Sequence, residues 1–171
     1  MSQSTPADLP AYLRTHEQLK EAIQGLTEEE LRYKPGPGKW SVTEVLAHLA
    51  DHQIVVSFRI REILSGSETR LPAFSQDLWV EGQKANAGNA EDSLNVFRAL
   101  LVYNGQLFVR LTGEDWGKTG VNFRGETVTL SAIVQGFIDH TQRHLGQIDR
   151  IKQGIARGIA ESPALGSGCA V

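Results

Sequence analysis

The chain has 171 residues, a mass of 18.8 kDa, a net charge of −3 and a sequence pI near 5.9. Its 40% hydrophobic and 22% charged content is ordinary for a soluble globular protein able to bury a core. The slight acidity argues against nucleic acid or an anionic membrane as partner, and no apolar run approaches the roughly 20 residues of a membrane span. The first residues, Met1 to Ala7, are polar and do not read as a secretion signal.

Apolar residues at helical spacing predict a first helix over Leu9–Leu26, with Leu9, Leu13, His16, Leu19 and Ile23 on one stripe. Thr27 and Glu30 have the spacing of a capping box for a short turn of helix. Pro35-Gly36-Pro37-Gly38 then breaks the chain. A second helix starts at Ser41, where Ser at the N-cap and Glu44 at N3 form the same reciprocal pair and Trp40 is placed as a hydrophobic staple; it runs to Ser65-Gly66.

Residues 65–89 are mixed, with Leu71 to Trp79 near the end of the helices. A third helix is expected over Ala90–Leu111, carrying Leu94, Phe97, Leu101 and Phe108 inward. Gly113 to Val128 is Gly-rich and strand-like at best, with a small hairpin about Arg124-Gly125. The last helix, Thr129–Arg157, has Ile133, Phe137, Ile148, Ile151 and Ile155 on one stripe. Four long amphipathic segments without βαβ alternation make this an all-α protein, a four-helix bundle with long connections: one domain over residues 1–160 and a flexible tail over 161–171. The single cysteine, Cys169, falls in that tail. It excludes an intrachain disulfide, agrees with a cytoplasmic address, and has nothing nearby to make it a nucleophile.

Four of the five histidines form two i, i+4 pairs, His48/His52 and His140/His144. That spacing stacks two imidazoles on one helix face. At about 100° per residue, His144 and His140 fall at about 20° and 340° on the last helix, against a stripe centred near 30°. On the second helix His52 falls at about 340° and His48 at about 300°, against a centre near 40°, so this pair flanks its stripe. A lone inward imidazole is ordinarily satisfied by a carbonyl or water. Two facing two are better explained by a metal ion held between helices. Imidazole ligands favour zinc, nickel, copper or iron over calcium or magnesium, and three of them leave a fourth position for a nucleophile.

The run Pro37-Gly38-Lys39-Trp40-Ser41-Val42-Thr43-Glu44-Val45-Leu46-Ala47-His48-Leu49-Ala50-Asp51, with Asp139-His140-Thr141-Gln142-Arg143-His144-Leu145-Gly146-Gln147-Ile148 downstream, resembles the DinB-like superfamily, which includes bacillithiol S-transferases and mycothiol-dependent isomerases. The resemblance implies a four-helix bundle with a divalent metal, zinc first and nickel or iron next, held by His48, His140 and His144. His52 stays open as a fourth ligand, a neighbour of the ligands or a proton shuttle. The resemblance also implies activation of a low-molecular-weight thiol, as in the S-transferases, or of water, as in metal-dependent hydrolases, acting on a small-molecule substrate, and homodimers. A non-catalytic or structural metal bundle working through protein partners is the alternative.

Among the remaining residues, Asp51 and Asp139 are expected as exposed carboxylates, although Asp51 shares the side of His48 and could support it. Gln147, three residues beyond His144, could fix an imidazole or touch a substrate. Arg59 and Arg143 read as solvated unless an anionic substrate uses them. Trp79 and Trp116 would wall a pocket or fill the bundle end, and the Arg124-Gly125 loop would be surface or a lid. His16 reads as core or as a neighbour of the ligands.

Overall fold

The computed structural model describes residues 6–161. Seven helices and a two-stranded hairpin follow in the order α1 (Leu9–Ile23), α2 (Glu28–Arg32), α3 (Val42–Ser65), α4 (Gln76–Gly82), α5 (Ala90–Phe108), α6 (Gly113–Gly117), β1 (Thr119–Val121), β2 (Thr127–Thr129) and α7 (Leu130–Glu161), with a 3-10 turn at Ala85–Ala87 between α4 and α5. The expected all-α bundle is observed, built from α1, α3, α5 and α7. The tail expected over 161–171 begins at the last residue of α7, Glu161, and its remainder, with Cys169, lies outside the described residues.

Local chemistry sets most boundaries. At α3 the Ser41 hydroxyl accepts from the Glu44 amide at 3.1 Å while the Glu44 carboxylate accepts from the Ser41 amide at 2.8 Å. Gly66, at φ 73°, closes the other end in the left-handed conformation that glycine adopts without strain. Thr27 and Glu30 form the expected box on α2. Besides α4, which falls in the stretch read as mixed, and α7, which runs past the expected Arg157 to Glu161, three expectations shift. First, α1 stops at Ile23, because the chain turns away at Gly25 (φ 82°). Second, α5 stops at Phe108, where i to i−3 bonds from Arg110 to Leu107 and from Leu111 to Phe108 tighten the last turn. Third, the stretch read as strand-like at best opens with a helix, α6, whose N-cap Thr112 exchanges bonds with Asp115. The hairpin follows it, with Thr119 opposite Thr129 and Val121 opposite Thr127.

Around the bundle the order is α1, α5, α3, α7, each packed on the next and α7 on α1. Paired residues fix the directions. Ser41 meets Asn86 just ahead of α5, and Ser57 meets Asn104, so α3 and α5 run parallel. His48 meets His140 and His144 while His52 packs on Phe137, so α3 and α7 run antiparallel. Gln142 reaches Gln18 and Lys152 reaches the Ala22 carbonyl, so α1 and α7 run parallel.

The core is Leu19 of α1, Val45, Leu49, Val56 and Ile60 of α3, Phe97, Leu101 and Phe108 of α5, and Val134, Phe137, Ile148 and Ile151 of α7. On α1 the buried face is Tyr12, Thr15 and Leu19: Leu19 is where expected, while Tyr12 and Thr15 are buried in place of Leu13, which is 51% exposed, and His16. Tyr12 anchors a buried polar cluster. Its hydroxyl accepts from Gln53 Nε2 at 2.8 Å and from Asn104 Nδ2 at 3.3 Å. Asn104 in turn donates to Ser57 Oγ and accepts from Arg61.

Candidate metal centre

Antiparallel packing of α3 against α7 brings the two histidine pairs together. The Nε2 atom of His140 lies 3.2 Å from that of His48 and 3.2 Å from that of His144. The ligating atoms of His48, His140 and His144 all fall within 4.8 Å of one another. Tetrahedral zinc with bonds of about 2.05 Å places ligand nitrogens about 3.3 Å apart. The spacing therefore fits a small divalent transition metal.

Hydrogen bonding alone gives a poorer account. The His140 Nε2 atom would have to serve two neighbours with one proton or one lone pair. An ion accepts all three lone pairs at once. Burial also prepares the rings for this role. It pushes the pKa of His48 down to about 4 and that of His140 to about 2, with neighbouring histidines adding to the effect, and it lowers that of His144. At neutral pH these imidazoles are uncharged and their lone pairs are free.

The far side of each ring differs. His144 Nδ1 lies 2.7 Å from Gln147 Oε1, within hydrogen-bond distance, a contact that one of the two roles expected for Gln147 requires. The Nδ1 atoms of His48 and His140 are buried without a partner among the described residues. His52 is half-buried and outside the three-nitrogen group. Its ring stacks on His140 at 3.8 Å between centroids, and burial pushes its pKa down to about 3. His48, which angular position placed further from the core than His52, is only 1% exposed.

Two aromatic residues flank the histidines. Trp40, placed just ahead of the α3 cap, lies 4.9 Å from His48 and stacks nearly parallel on His144 at 6.2 Å. Phe74 covers His48 at 6.0 Å and His52 at 6.2 Å, and Trp79 of α4 packs edge-on against Phe74 at 5.0 Å. Phe74 was not singled out from sequence, because Leu71–Ser75 has no periodicity to interpret. Its segment is tied down at both ends. Arg59 donates to the Pro72 carbonyl at 3.2 and 2.6 Å, and Gln83 donates to Asp51 at 2.7 Å.

Several expectations are thereby corrected. Asp51 is 9% exposed rather than solvent-facing, and burial raises its pKa against the opposing Gln83 hydrogen bond. Arg59 is bound to backbone rather than solvated. Trp116 is 3% exposed and packs on Phe108, filling the core, whereas Trp79 backs the histidine site. The hairpin is no lid on this site: Gly120 lies against Ile63, eleven residues and so about 16 Å along α3 from His52. His16 lines a separate cavity of about 760 Å³ with Leu26, Leu94 and Arg98. Asp139 is exposed as expected, accepting from Gln135.

Comparison with known proteins gives concordant matches. The family model of the DinB superfamily matches residues 11–148. A protein of Oceanobacillus iheyensis named "Putative metal-dependent hydrolase OB0413" is 25% identical over 76% of this chain and 75% of its own length. A "Putative metal-dependent hydrolase" of Geobacillus thermodenitrificans is 28% identical over 57% of this chain and 55% of its own length. Among solved structures, YfiT from Bacillus subtilis, a probable metal-dependent hydrolase with an unusual four-helix bundle topology, superposes with a TM-score of 0.80 at 18% identity, covering 91% of this chain and 95% of that one. The mycothiol-dependent maleylpyruvate isomerase shares the fold with a TM-score of 0.66 at 15% identity, over 87% of this chain and 65% of that one. On these matches, and on the bundle they share, the chain belongs to the DinB superfamily.

Proposed function

We propose that the chain is a metal-dependent enzyme in which His48, His140 and His144 hold one divalent transition metal through their Nε2 atoms, with zinc the first expectation and nickel or iron the next. The observation that carries this reading is the approach of His140 Nε2 to 3.2 Å from both other nitrogens in a carboxylate-free cluster whose His48 is buried and whose other two rings are half-buried. When bound, such an ion supplies a Lewis acid with an open position that lowers the pKa of a nucleophile placed there. What supports three ligands over four is the stacked orientation of His52, which a closed structural site would need as its fourth donor.

The side chains around the cluster suit that chemistry. Trp40 and Phe74 shield the imidazole faces from water. Arg143, exposed beside His144, adds positive charge that favours an anionic small molecule. Water is the first nucleophile, in line with the names of the sequence relatives. A low-molecular-weight thiol is the second, in line with the shared fold of a mycothiol-dependent enzyme.

The test is elemental analysis of untagged protein purified without chelator or a nickel column. About one transition metal per chain, lost in His144→Ala, supports the reading; no metal in wild type removes it and leaves a bundle acting through partners. Turnover assays with and without added thiol then separate the two nucleophiles.

A further inference from the structure

We propose that Gln147 is a positioning residue for the three-histidine centre, fixing the tautomer and ring orientation of His144 so that its Nε2 lone pair faces the ion. The inference rests on the metal reading above and adds a residue to it. Gln147 sits one turn beyond His144 on α7, and its Oε1 lies 2.7 Å from His144 Nδ1. An amide oxygen can only accept, so Nδ1 carries the proton and Nε2 is left as a bare lone pair. Trp40, stacked on His144 with planes 14° apart, holds the ring from its face while Gln147 holds it from its edge.

The arrangement is lopsided. His48 and His140 also turn Nε2 toward the cluster, yet their Nδ1 atoms find no partner among the described residues. Either ring can adopt the tautomer that puts a proton on Nε2, among the three nitrogens, without losing a bond on its far side. With the Gln147 oxygen toward the ring, as it stands, His144 alone loses a bond by doing so unless the amide also turns over. This makes His144 the pre-set ligand and Gln147 the residue that sets it. Because Gln147 and His144 share a helix, the restraint is built into α7 and does not depend on how α3 packs.

A glutamine also leaves the site's charge unchanged. A carboxylate at the same place accepts more strongly and cannot rotate to offer an N–H, so it enforces the same tautomer. A methionine of similar length neither accepts nor donates there.

The experiment is competition of Zn²⁺ against a chromophoric chelator in wild type, Gln147→Met, Gln147→Glu and His144→Ala, with circular dichroism and thermal unfolding of each metal-free protein. The expected result is a rise in Kd of roughly 10- to 100-fold for Gln147→Met, wild-type or tighter binding for Gln147→Glu, and unchanged metal-free unfolding in both. Should Met disturb packing, Gln147→Ala removes the acceptor without filling its place and is expected to show the same loss. Zinc bound by Gln147→Met and Gln147→Ala as tightly as by wild type overturns the positioning role while leaving the metal centre standing. Gln147→Glu as weak as Gln147→Met overturns the tautomer argument. A wild type that binds no zinc, or a His144→Ala that binds it fully, overturns the metal reading itself.

Discussion

The ring of His52 lies against that of His140, with centroids 3.8 Å apart and planes inclined by 26°, while Phe137 lies nearly parallel to it at 5.9 Å. His52 thus contributes a flat surface that sets the plane of His140, and its nitrogens stand outside the group formed by the other three. His52→Phe should keep that surface and keep one metal per chain. His52→Ala should weaken metal binding by about tenfold, at the lower end of what loss of a supporting contact costs. Metal analysis of the two variants beside His144→Ala checks this: loss in His52→Phe as complete as in His144→Ala would make His52 a ligand.

Asp51 and Gln83 close the segment that carries Phe74 and Trp79 over the histidines, and the Asp51 carboxylate is buried where it accepts this bond. Removing the acceptor leaves the Gln83 amide unpaired and frees α4. Because Gln83 is exposed and can turn to water, Asp51→Ala should cost about 0.5–1.5 kcal/mol, and it should speed amide exchange across residues 76–87. Asp51→Asn can still accept through its amide oxygen and should lose much less. Because His48 Nδ1 has no bond to Asp51, zinc binding should survive both changes. Hydrogen-exchange mass spectrometry with a zinc titration reads the two effects separately, and zinc loss in Asp51→Asn would place Asp51 in direct support of a ligand.

The features legible in the sequence are those set by a few neighbouring residues. Ser41 with Glu44, Thr27 with Glu30, and Gly66 after Ser65 fix helix ends through bonds to the adjacent backbone, so residue spacing suffices. The helix α6 escaped notice because its box closes with Asp115 in place of Glu and is framed by Gly113 and Gly117. On α1 the apolar pattern pointed at Leu13, yet the buried face is Tyr12 and Thr15. Both are polar residues whose hydroxyls find partners inside: Tyr12 bonds across helices, and Thr15 bonds back to the Tyr12 carbonyl. The histidine spacing announced a cluster, but ideal helix angles favoured His52 over His48. What decides between them is where α7 crosses α3, a tertiary fact. Phe74 and the bond from Gln83 to Asp51 join segments through a connection without periodicity, and nothing local marks them.

Tyr12 makes the bundle sensitive to alkali. It is fully buried, and burial raises its pKa from 10.0 to about 12 against the opposing hydrogen bonds from Asn104 and Gln53. The folded chain keeps this proton where the unfolded chain gives it up. The associated stability is present in full below pH 10 and declines as pH rises toward 12, by about 3 kcal/mol for two pH units. Tyr12→Phe should remove that dependence while costing about 1–3 kcal/mol at neutral pH, because Gln53 and Asn104 lose their acceptor. Urea unfolding of both proteins at pH 8 and pH 11 checks this: equal losses with pH in the two would show that other groups carry the alkaline effect.

Gly120 tests whether the hairpin and the histidine centre are independent. A Cβ added at Gly120 would stand 2.9 Å from Ile63 Cγ1 and 3.3 Å from Leu71 Cδ1, both in fully buried side chains at the end of α3 and the start of the connection beyond it. The neighbouring Leu71 amide donates to the Val121 carbonyl at 2.8 Å, so the strand cannot back away without stretching a backbone bond. Gly120→Ala should therefore destabilise by about 1–3 kcal/mol through overpacking. The ligand on α3, His48, lies fifteen residues before Ile63 and so about 22 Å back toward the start of the helix, so zinc affinity at a temperature where the variant is folded should match wild type. Thermal unfolding paired with zinc titration checks both halves. A fall in affinity without any fall in stability would mean that the hairpin acts on the histidine centre after all, through the shared helices α3 and α7.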